Sequence, residues 1–431
     1  MRTRVLSKSI LDTTGRVPFL CSNFVLFIVA FCSRFVIHLV GEFSPTFLFA
    51  TITLPWYVNG LKMSQDKMLK KTVLVFCALM LLGVVWTPFS DTDLVGNIKS
   101  IMIPFNGLIV FLFFYYAYTK NPSGIKWAVL GTFISQFFIR GQMLDNSGIE
   151  AGTYNYWKFL VFPRIVTGVV CLYLFAKWRL LRDNISWIMI FVGLLGLATG
   201  ARSTGLVALI PGLLALFIQR PSFKARNIKK YAIIGFIGFY AVYALFYVPR
   251  VLDGTIKEGN SEQLLKTDNP YNPFNLIMIG RADSVVPFMA FFDKPVFGWG
   301  TSAKDTPDFH YIRMTLALQD ADNQSDDFGL YGDLGTIPGH SIWGTYSCWY
   351  GLFGFFTILM LVVIMLKASS KCIKDGCDVP LYVLFTVFGF VWTILFSPLA
   401  NLKTMTGSIA IILALAFLAE ERNKIKNIKN E

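Results

Sequence analysis

The chain has 431 residues, of which 55% are hydrophobic and only 15% are charged. Soluble globular proteins have about 45–50% apolar residues and more charge, so this composition argues against a soluble protein. The formal net charge is +13, but the basic residues lie in short runs between apolar segments, which is typical of membrane proteins and argues against nucleic-acid binding.

Apolar segments long enough to cross a bilayer predict an all-α polytopic membrane protein with about twelve transmembrane helices. Residues 1–249 are predicted to form an N-terminal bundle of about nine helices, residues 250–338 a large outer loop with an amphipathic helix, and residues 339–431 the C-terminal helices and a basic tail. The predicted spans are 17–37, 43–60, 72–90, 100–118, 125–140, 159–177, 185–199, 204–218, 231–249, 339–366, 380–397 and 403–419.

The distribution of basic residues predicts the orientation of these spans. The segments assigned to the inner side hold 25 of the 39 lysines and arginines, and the short outer loops hold few. Because lysine and arginine are enriched in cytoplasmic loops, both termini are predicted to be cytoplasmic and the large loop periplasmic or extracellular. No small-residue cleavage site follows the first apolar run, so this run is predicted to be an uncleaved helix.

Three arginines of the N-terminal bundle lie near the predicted outer face. Arg202 stands between two apolar runs of about 15 residues, and each run reaches only about 22 Å as a helix, less than the ~30 Å hydrocarbon core. A charge placed so near the hydrocarbon is costly and is a functional candidate, although Arg202 could also be an ordinary loop arginine on a headgroup phosphate. Arg140 and Arg164 are predicted either to reach headgroups as anchors or to bind anions.

The outer loop is too long for a simple connector, which predicts a functional element. Its middle, residues 274–292, is apolar apart from Arg281 and Asp283, and it is predicted to form a helix lying against the membrane surface. Arg281 and Asp283 could be no more than a surface ion pair. Alternatively, they belong with Trp299 to a substrate-binding site.

His340 lies where the outer loop re-enters the membrane. An imidazole can accept a proton near neutral pH, which makes His340 a candidate general base. The alternative is a structural or merely interfacial histidine.

The seven cysteines lie in or beside apolar spans or in a basic inner loop, which predicts neither a structural disulfide nor a cysteine-based metal site. The sequence contains no phosphate-binding loop of the Gly-rich Lys-Ser/Thr type and no His-Glu-x-x-His motif. No metal or cofactor is therefore predicted.

Three short segments that follow one another along the chain all lie on the predicted outer side of the membrane. They are Thr199–Ser203 (TGARS), Gly280-Arg281 followed by 295–300 (PVFGWG), and His340-Ser341 followed by 350–354 (YGLFG). These segments resemble the Thr/Ser-Arg, Arg…Pro-x-x-Gly-x-Gly and His-Asn…Gly-Leu-x-Gly elements of the O-antigen ligase and polymerase family of bacterial envelope glycosyltransferases. The resemblance covers roughly residues 199–354. Ser341 stands where the family commonly has Asn, and the acidic residue often found a few positions later is absent.

The resemblance implies a GT-C-like enzyme of the bacterial cytoplasmic (inner) membrane. It implies transfer of a glycan from a polyprenyl diphosphate, such as undecaprenyl diphosphate, to a hydroxyl of an acceptor glycan, which is lipid A-core for a ligase. Arg202 and Arg281 would stabilise the leaving diphosphate and His340 would take the acceptor proton, with inversion and without metal or cofactor. The weaker candidates for binding the diphosphate or the sugars are Arg140, Arg164, Asp283 and Trp299. The implied partners are the lipid-linked glycan, the acceptor, the bilayer and other glycan-assembly proteins such as a chain-length regulator.

Other functions stay open at this level. An O-antigen or exopolysaccharide polymerase of the same family shares all three elements, and the order Arg/Arg/His with one dominant outer loop favours the ligase only slightly. A lipid-linked glycan flippase or transporter would also have many spans, but it should show related halves with broken helices in both. A membrane scaffold without activity is the third alternative.

Overall fold

The computed structural model is almost entirely helical. It describes residues 11, 17–35, 37–38, 42–61, 66–90, 94–138, 156–176, 179–219, 237, 240–241, 243–254, 269–272, 281–305, 309, 336–337 and 339–430. The described part of the chain contains one two-residue β-ribbon, in which β1 (Ile37–His38) pairs antiparallel with β2 (Glu42–Phe43).

Twelve helices of eight or more residues are described. They are α1 (Asn23–Cys32), α2 (Pro45–Ile52), α3 (Lys67–Trp86), α4 (Leu94–Lys120), α5 (Gly124–Phe138), α6 (Phe162–Phe175), α7 (Arg179–Ala198), α8 (Arg202–Gln219), α9 (Ala282–Asp293), α10 (Ile342–Lys374), α11 (Pro380–Phe396) and α12 (Leu402–Asn430). The π-helical turns are Trp157–Val161, which leads into α6, and Tyr243–Tyr247, which leads into the short helix Val248–Leu252. The remaining turns are Leu54–Tyr57 (α) and Phe19–Cys21, Val58–Gly60, Thr87–Phe89 and Leu399–Asn401 (3-10).

Among the described residues, four helical segments are long and apolar enough to cross a membrane. They are Lys67–Trp86, Gly96–Lys120, Trp157–Phe175 and Ile342–Lys374. The shorter apolar helices are Asn23–Cys32, Asp183–Ala198, Arg202–Ile218 and Pro380–Phe396. Residues 231–236, 238–239 and 242 of the span predicted over 231–249 lie outside the described residues.

Most of the described helices overlap predicted spans but differ from them at their ends, and the region predicted as one span over 43–60 is divided into Pro45–Ile52, Leu54–Tyr57 and Val58–Gly60. The span predicted over 72–90 begins earlier, at Lys67, because the Asp66 carboxylate accepts hydrogen bonds from the amides of Met68 and Leu69 and so caps the helix. The span predicted over 339–366 continues to Lys374. Polar caps and basic ends thus lengthen helices beyond their apolar cores.

Helix α4 runs through the centre of the bundle. Its residues from Leu108 to Tyr118 are all buried, and it packs against α3 and α12. At Gly107, a Cβ atom would lie 3.0 Å from the Phe76 ring of α3 and 3.2 Å from Thr406 of α12. A helix that is apolar on all sides is expected in such a buried position.

Helices α7 and α8 form a close pair that positions Arg202. A Cβ atom on Gly196 of α7 would lie only 2.9 Å from the Cα atom of Gly205 on α8, so the two backbones are almost in contact. Small residues permit this approach between membrane helices. The chain joins the two helices through residues 199–201 alone, which places Arg202 at the first residue of α8.

The second half of the amphipathic helix predicted over 274–292 is α9, and residues 274–280 of that prediction lie outside the described residues. Its apolar face packs on α10: Val286 and Ala290 are fully buried, and the ring of Phe291 stacks on that of Phe355 with 5.6 Å between centroids. Protein therefore covers much of the face that was expected to lie on the membrane surface. Phe292, by contrast, is exposed.

Candidate functional site

Arg202 lies at the N-terminus of α8 with its guanidinium against Tyr247. It donates a hydrogen bond to the Tyr247 hydroxyl, and its guanidinium carbon is 4.9 Å from the centroid of the same ring. The side chain is partly buried. The N-terminal end of a helix carries partial positive charge, so α8 adds to the attraction of Arg202 for an anion.

Arg281 reaches the same place from the outer loop. Its Nη2 atom donates to the hydroxyl of Ser203, the residue after Arg202, at 3.0 Å. Its guanidinium also lies 5.9 Å and 5.7 Å from the ring centroids of Trp392 and Phe396 at the end of α11. Partial burial lowers the pKa of Arg281 and the nearby Asp283 carboxylate opposes this shift, but a guanidinium stays protonated at neutral pH.

His340 is joined to the segment that carries Arg281. Its amide donates to the Asp283 carbonyl at 3.1 Å, and the Ser284 hydroxyl donates to the His340 carbonyl at 3.0 Å. The His340 Nδ1 atom is 3.9 Å from the Asp283 Oδ2 atom, and both side chains are about half exposed. Hydrogen bonds thus connect the backbone of His340 to the segment that carries Arg281, and the side chain of Arg281 to the residue after Arg202.

The carboxylate of Asp283 lies beside the imidazole of His340. It was predicted as a weaker contact to the diphosphate or sugars, and the structure places its carboxylate beside the imidazole of His340 and near Arg281. Residues after His340 offer no acidic group at the family's usual position. Asp283, which is 57 residues earlier in the chain, supplies a carboxylate instead, and only the fold reveals this.

Ser341, which stands where the family commonly has Asn, caps α10. Its hydroxyl accepts a hydrogen bond from the Gly344 amide at 3.0 Å and donates to the Ile394 carbonyl at 3.3 Å. Ser341 is fully buried. These two bonds hold Ser341 at the start of α10 and beside α11, and so fix the backbone next to His340.

The two glycine-containing segments, 295–300 and 350–354, bind each other. Helix α10 is broken at Gly351, where φ is 59° and ψ is −141°. The carbonyls of Cys348 and Trp349 lose their helical partners and accept instead from the amides of Trp299 and Gly300, at 2.8 Å and 3.1 Å. The Leu352 amide donates to the Pro295 carbonyl at 2.7 Å. Loop and broken helix thus satisfy each other's backbone groups.

The glycines make this contact possible. A Cβ atom on Gly298 would lie 2.5 Å from the Cys348 carbonyl oxygen, and one on Gly351 would lie 2.5 Å from the Pro295 carbonyl oxygen. Such distances are too short for any side chain. These motif residues therefore fasten the outer loop to the helix that begins after His340.

Trp299 and Arg164 make contacts that stabilise the fold. The Trp299 indole donates to the Ala290 carbonyl at 2.7 Å, and the Lys294 ammonium lies 3.6 Å from its ring centroid. Arg164 donates to the Gln136 carbonyl in the last turn of α5 at 2.7 Å. Basic groups stabilise helix C-termini, which explains this placement. Arg140 lies outside the described residues.

Lys158 is a basic residue beside this region that the sequence analysis did not single out. It lies on the π-helical turn before α6, next to Trp157, whose indole donates to the Thr199 hydroxyl at 2.9 Å. Its ammonium lies 5.0 Å from the centroid of the Phe159 ring. The signal in the sequence was weak, because Lys158 stands at the edge of an apolar run among three aromatic residues.

The site thus contains the guanidinium groups of Arg202 and Arg281, the Asp283 carboxylate and the His340 imidazole. Within the described part of the chain, no group of three or more His, Cys, Asp or Glu residues could hold a metal ion. The seven cysteines are free thiols. Cations that remain protonated at neutral pH can bind phosphate oxygens, and an imidazole can move a proton.

No family model matches this chain, and no curated protein matches it in sequence. What the protein does has therefore to be inferred from the chemistry of its own residues.

Proposed function

We propose that this protein is an O-antigen ligase-like membrane glycosyltransferase that moves a glycan from a polyprenyl diphosphate to a hydroxyl of an acceptor glycan. One observation carries the proposal. Arg202, Arg281 and His340, which come from three separate segments, are linked through Ser203 and Asp283 into one cluster. Two fixed cations beside a base are what displacement of a diphosphate by a hydroxyl requires.

The arginines stabilise the leaving group. As the bond between the anomeric carbon and the diphosphate oxygen breaks, negative charge grows on that oxygen. Arg202 is held by Tyr247, and Arg281 is held by Ser203 and the aromatic end of α11. Cations that are already positioned stabilise the developing charge without reorganisation, and a guanidinium can bind two phosphate oxygens at once.

His340 activates the acceptor. It takes the proton from the acceptor hydroxyl as the oxygen attacks the anomeric carbon, and direct displacement inverts that carbon. The Asp283 carboxylate at 3.9 Å stabilises the imidazolium that forms. General-base catalysis of this kind contributes about 10²–10⁴ in rate. No metal is needed, because the diphosphate is already a good leaving group.

The membrane arrangement in this proposal has about twelve spans, cytoplasmic termini and a site on the outer face of the bacterial inner membrane. The length of α8 supports a recessed position for Arg202, since its 18 residues reach only about 27 Å at 1.5 Å per residue, slightly less than the ~30 Å hydrocarbon core. A lipid-linked donor would then bring its diphosphate to the level of Arg202 without leaving the bilayer.

The test is a transfer assay with purified protein in lipid nanodiscs. Polyprenyl-diphosphate glycan is supplied with candidate acceptors, and free polyprenyl diphosphate and product glycan are measured. Arg202→Ala, Arg281→Ala and His340→Ala should each lower turnover by about 10²-fold or more. Lys304→Ala, which changes an exposed residue of the outer loop, serves as the matched control.

The same assay separates the alternatives. Transfer to lipid A-core identifies a ligase, whereas extension of another lipid-linked repeat unit identifies a polymerase. Movement of the lipid-linked glycan across the bilayer without bond cleavage would identify a flippase and overturn the proposal. Full turnover by the His340→Ala variant would remove His340 from the mechanism.

A further inference from the structure

The exposed face of α10 changes from apolar to basic towards the C-terminal end of the helix. Residues 342–366 contain no Asp, Glu, Lys or Arg, and these 25 residues reach up to about 37 Å along the helix, more than the ~30 Å hydrocarbon core. Lys367 is the first charged residue after them. It therefore lies where α10 leaves the hydrocarbon core and enters the headgroup layer.

An open groove of about 510 Å³ lies on this part of α10, and one end of it is apolar. Val363 and Leu366 line that end, and both are exposed. Met360 and Phe356, at the preceding turns of the same face, are exposed as well, so an apolar strip leads along the helix into the groove. Contiguous exposed apolar surface of this kind marks a contact with lipid or with another protein.

The other end of the groove is basic. Lys367, Lys371 and Lys374 line it, and their spacing of four and three residues places them on one face of the helix. The Lys371 ammonium is already engaged, because it donates to the Glu420 carboxylate of α12. Lys424 contacts the same carboxylate at 2.8 Å. The negative charge of Glu420 is therefore shared between two lysines and leaves the other lysines of the groove unbalanced.

Two ammonium groups and one hydroxyl of the groove remain available to a ligand. Within the part of the chain that the structure describes, the side chains of Lys367 and Lys374 make no hydrogen bond or ion pair, and both residues are exposed. Ser370 lies between them, and its exposed hydroxyl makes no hydrogen bond either. By contrast, the hydroxyl of the neighbouring Ser369 donates to the Met365 carbonyl at 3.0 Å.

The charge of the groove selects the kind of headgroup. Asp375 is the carboxylate among the described lining residues, and it forms no ion pair with Lys367 or Lys374. Positive charge thus remains in excess beside an apolar wall. A ligand with a negatively charged phosphate and an apolar chain contacts both ends of such a groove, whereas free phosphate would contact only the basic end. Lysines at the membrane surface attract anionic lipids.

We propose that this groove binds a phospholipid with an anionic headgroup, whose phosphate contacts Lys367, Ser370 and Lys374 while an acyl chain lies over Val363 and Leu366. The lipid site is separate from the glycan-transfer site and does not depend on the proposed function. A lipid that binds the folded protein and not the unfolded chain also stabilises the fold.

The experiment measures which lipid occupies the groove. In a variant without the seven native cysteines, Met360→Cys places a bimane fluorophore on the apolar strip. The protein is reconstituted into nanodiscs of phosphatidylcholine that contain either brominated phosphatidylglycerol or brominated phosphatidylcholine at the same mole fraction. Bromine on an acyl chain quenches a fluorophore that it contacts, so the ratio of the two quenching efficiencies gives the preference for the anionic lipid.

Four double or single variants test the assigned residues. Lys367→Gln with Lys374→Gln removes both available ammonium groups, and Lys367→Arg with Lys374→Arg keeps the charge. Asp375→Asn removes the opposing carboxylate. The matched control is Lys70→Gln with Lys71→Gln, which removes two exposed lysines of α3 from another segment predicted to face the cytoplasm.

We expect the protein with native lysines to prefer phosphatidylglycerol about fivefold or more, since each lysine beside an anionic headgroup contributes a few-fold in affinity. The double glutamine variant should lower the preference to about one, and the double arginine variant should retain it. Asp375→Asn should increase it, and the control at positions 70 and 71 should not change it. High salt should weaken the preference, because it screens exposed charges. Thermal unfolding checks that each variant is folded.

Each contrary outcome overturns the inference. Equal quenching by the two lipids in the protein with native lysines would show that the groove does not select an anionic headgroup. An unchanged preference in the double glutamine variant would remove Lys367 and Lys374 from lipid binding. An equal loss in the control would assign the preference to the general surface charge. Displacement of the lipid by inorganic phosphate would indicate an anion site in place of a lipid site. The glycan-transfer proposal is unaffected by any of these results.

Discussion

At the scale of single residues, the orientation of each cation decides what the site can bind. Arg202 has its guanidinium against a tyrosine that is 45 residues later in the chain, so its direction is set by the aromatic ring and hydroxyl together. Arg281 is placed in the same manner by Ser203, Trp392 and Phe396. A flexible surface arginine would have to lose side-chain entropy on binding, whereas these two have lost much of it already.

Substitution of Tyr247 tests this orientation. Tyr247→Phe removes the hydroxyl that accepts from Arg202 but keeps the ring, so we expect kcat and kcat/KM for the donor each to fall by up to about tenfold. Tyr247→Ala also removes the cation–π contact and should lower both a few-fold further. Initial rates over a range of donor concentrations give both values. Tyr271→Phe, at an exposed loop position, should leave them unchanged, and an unaffected Tyr247→Ala would contradict the assigned role.

At the scale of elements, the break in α10 joins the outer loop to the membrane bundle. Because of the break at Gly351, the carbonyls of the preceding residues have no partner within the helix, and they accept hydrogen bonds from the loop amides of Trp299 and Gly300. No side chain fits between the two backbones. The PVFGWG and YGLFG segments are therefore explained by structure without any contact to substrate. They affect the site indirectly, because they hold α9 and the start of α10 in place.

Alanine substitutions at two glycines with positive φ distinguish the loss of stability caused by backbone strain from the loss caused by a steric clash. Gly376→Ala places a Cβ in open space at φ 81°, and we expect a loss of about 1 kcal/mol. Gly351→Ala adds overlap with the Val296 and Pro295 carbonyls, and we expect a loss of roughly 3 kcal/mol or more. Thermal unfolding in detergent measures both. Equal losses would show that the close approach at Gly351 is unimportant.

The ends of α10 and α12 are joined by an ion cluster with a pH dependence of defined sign. Lys371 and Lys424 donate to the Glu420 carboxylate, and these bonds lower the pKa of Glu420 below its usual value of 4.5. A lowered pKa in the folded state stabilises the fold above pH 4.5, and the contribution is lost as pH falls through the lowered value. Because Glu420 is about one-third exposed, the contribution should be at most about 1 kcal/mol.

Glu420→Gln tests this dependence. At pH 7 the variant should unfold at a lower temperature than the wild-type protein, and the difference should disappear at a pH well below 4.5, where the wild-type carboxyl is also neutral. Asp293→Asn, at an exposed carboxylate, should show no such difference. A gap that persisted unchanged at low pH would show that the substitution acts through packing.

At the scale of the whole molecule, the ion cluster around Glu420 and the cation site should lie on opposite sides of the membrane. This arrangement follows from the proposed orientation, in which the basic runs face the cytoplasm and the outer loop faces the other side. Such a separation would give the lipid diphosphate access to the site from outside while the tail stays in the cytoplasm.

Single-cysteine labelling tests the orientation. In a variant without the seven native cysteines, Lys294→Cys should react with a membrane-impermeant maleimide in spheroplasts, because the outer loop is exposed there. Asp375→Cys should react only after the membrane is permeabilised. Labelling of both positions from outside, or of Asp375→Cys alone, would contradict cytoplasmic termini.

The helical class of the protein and the candidate cations could be predicted from the sequence because both follow from local properties. The described helices overlap the predicted spans, since burying backbone polar groups in an apolar segment requires a helix. Arg202 and Arg281 stood out because charge is rare and costly beside apolar runs. The four long apolar helices follow directly from their composition.

Only the tertiary structure decided which groups surround His340 and the arginines. The Asp283 carboxylate beside His340, the contact of Arg202 with Tyr247 and the pairing of Pro295–Gly300 with the broken α10 all join residues from different parts of the chain. Hydropathy and spacing report on neighbours along the chain. Contacts between residues that are distant in the sequence depend on how the helices pack. Here the packing depends on close glycine contacts and backbone hydrogen bonds, and the sequence around each residue does not show which partner it will meet.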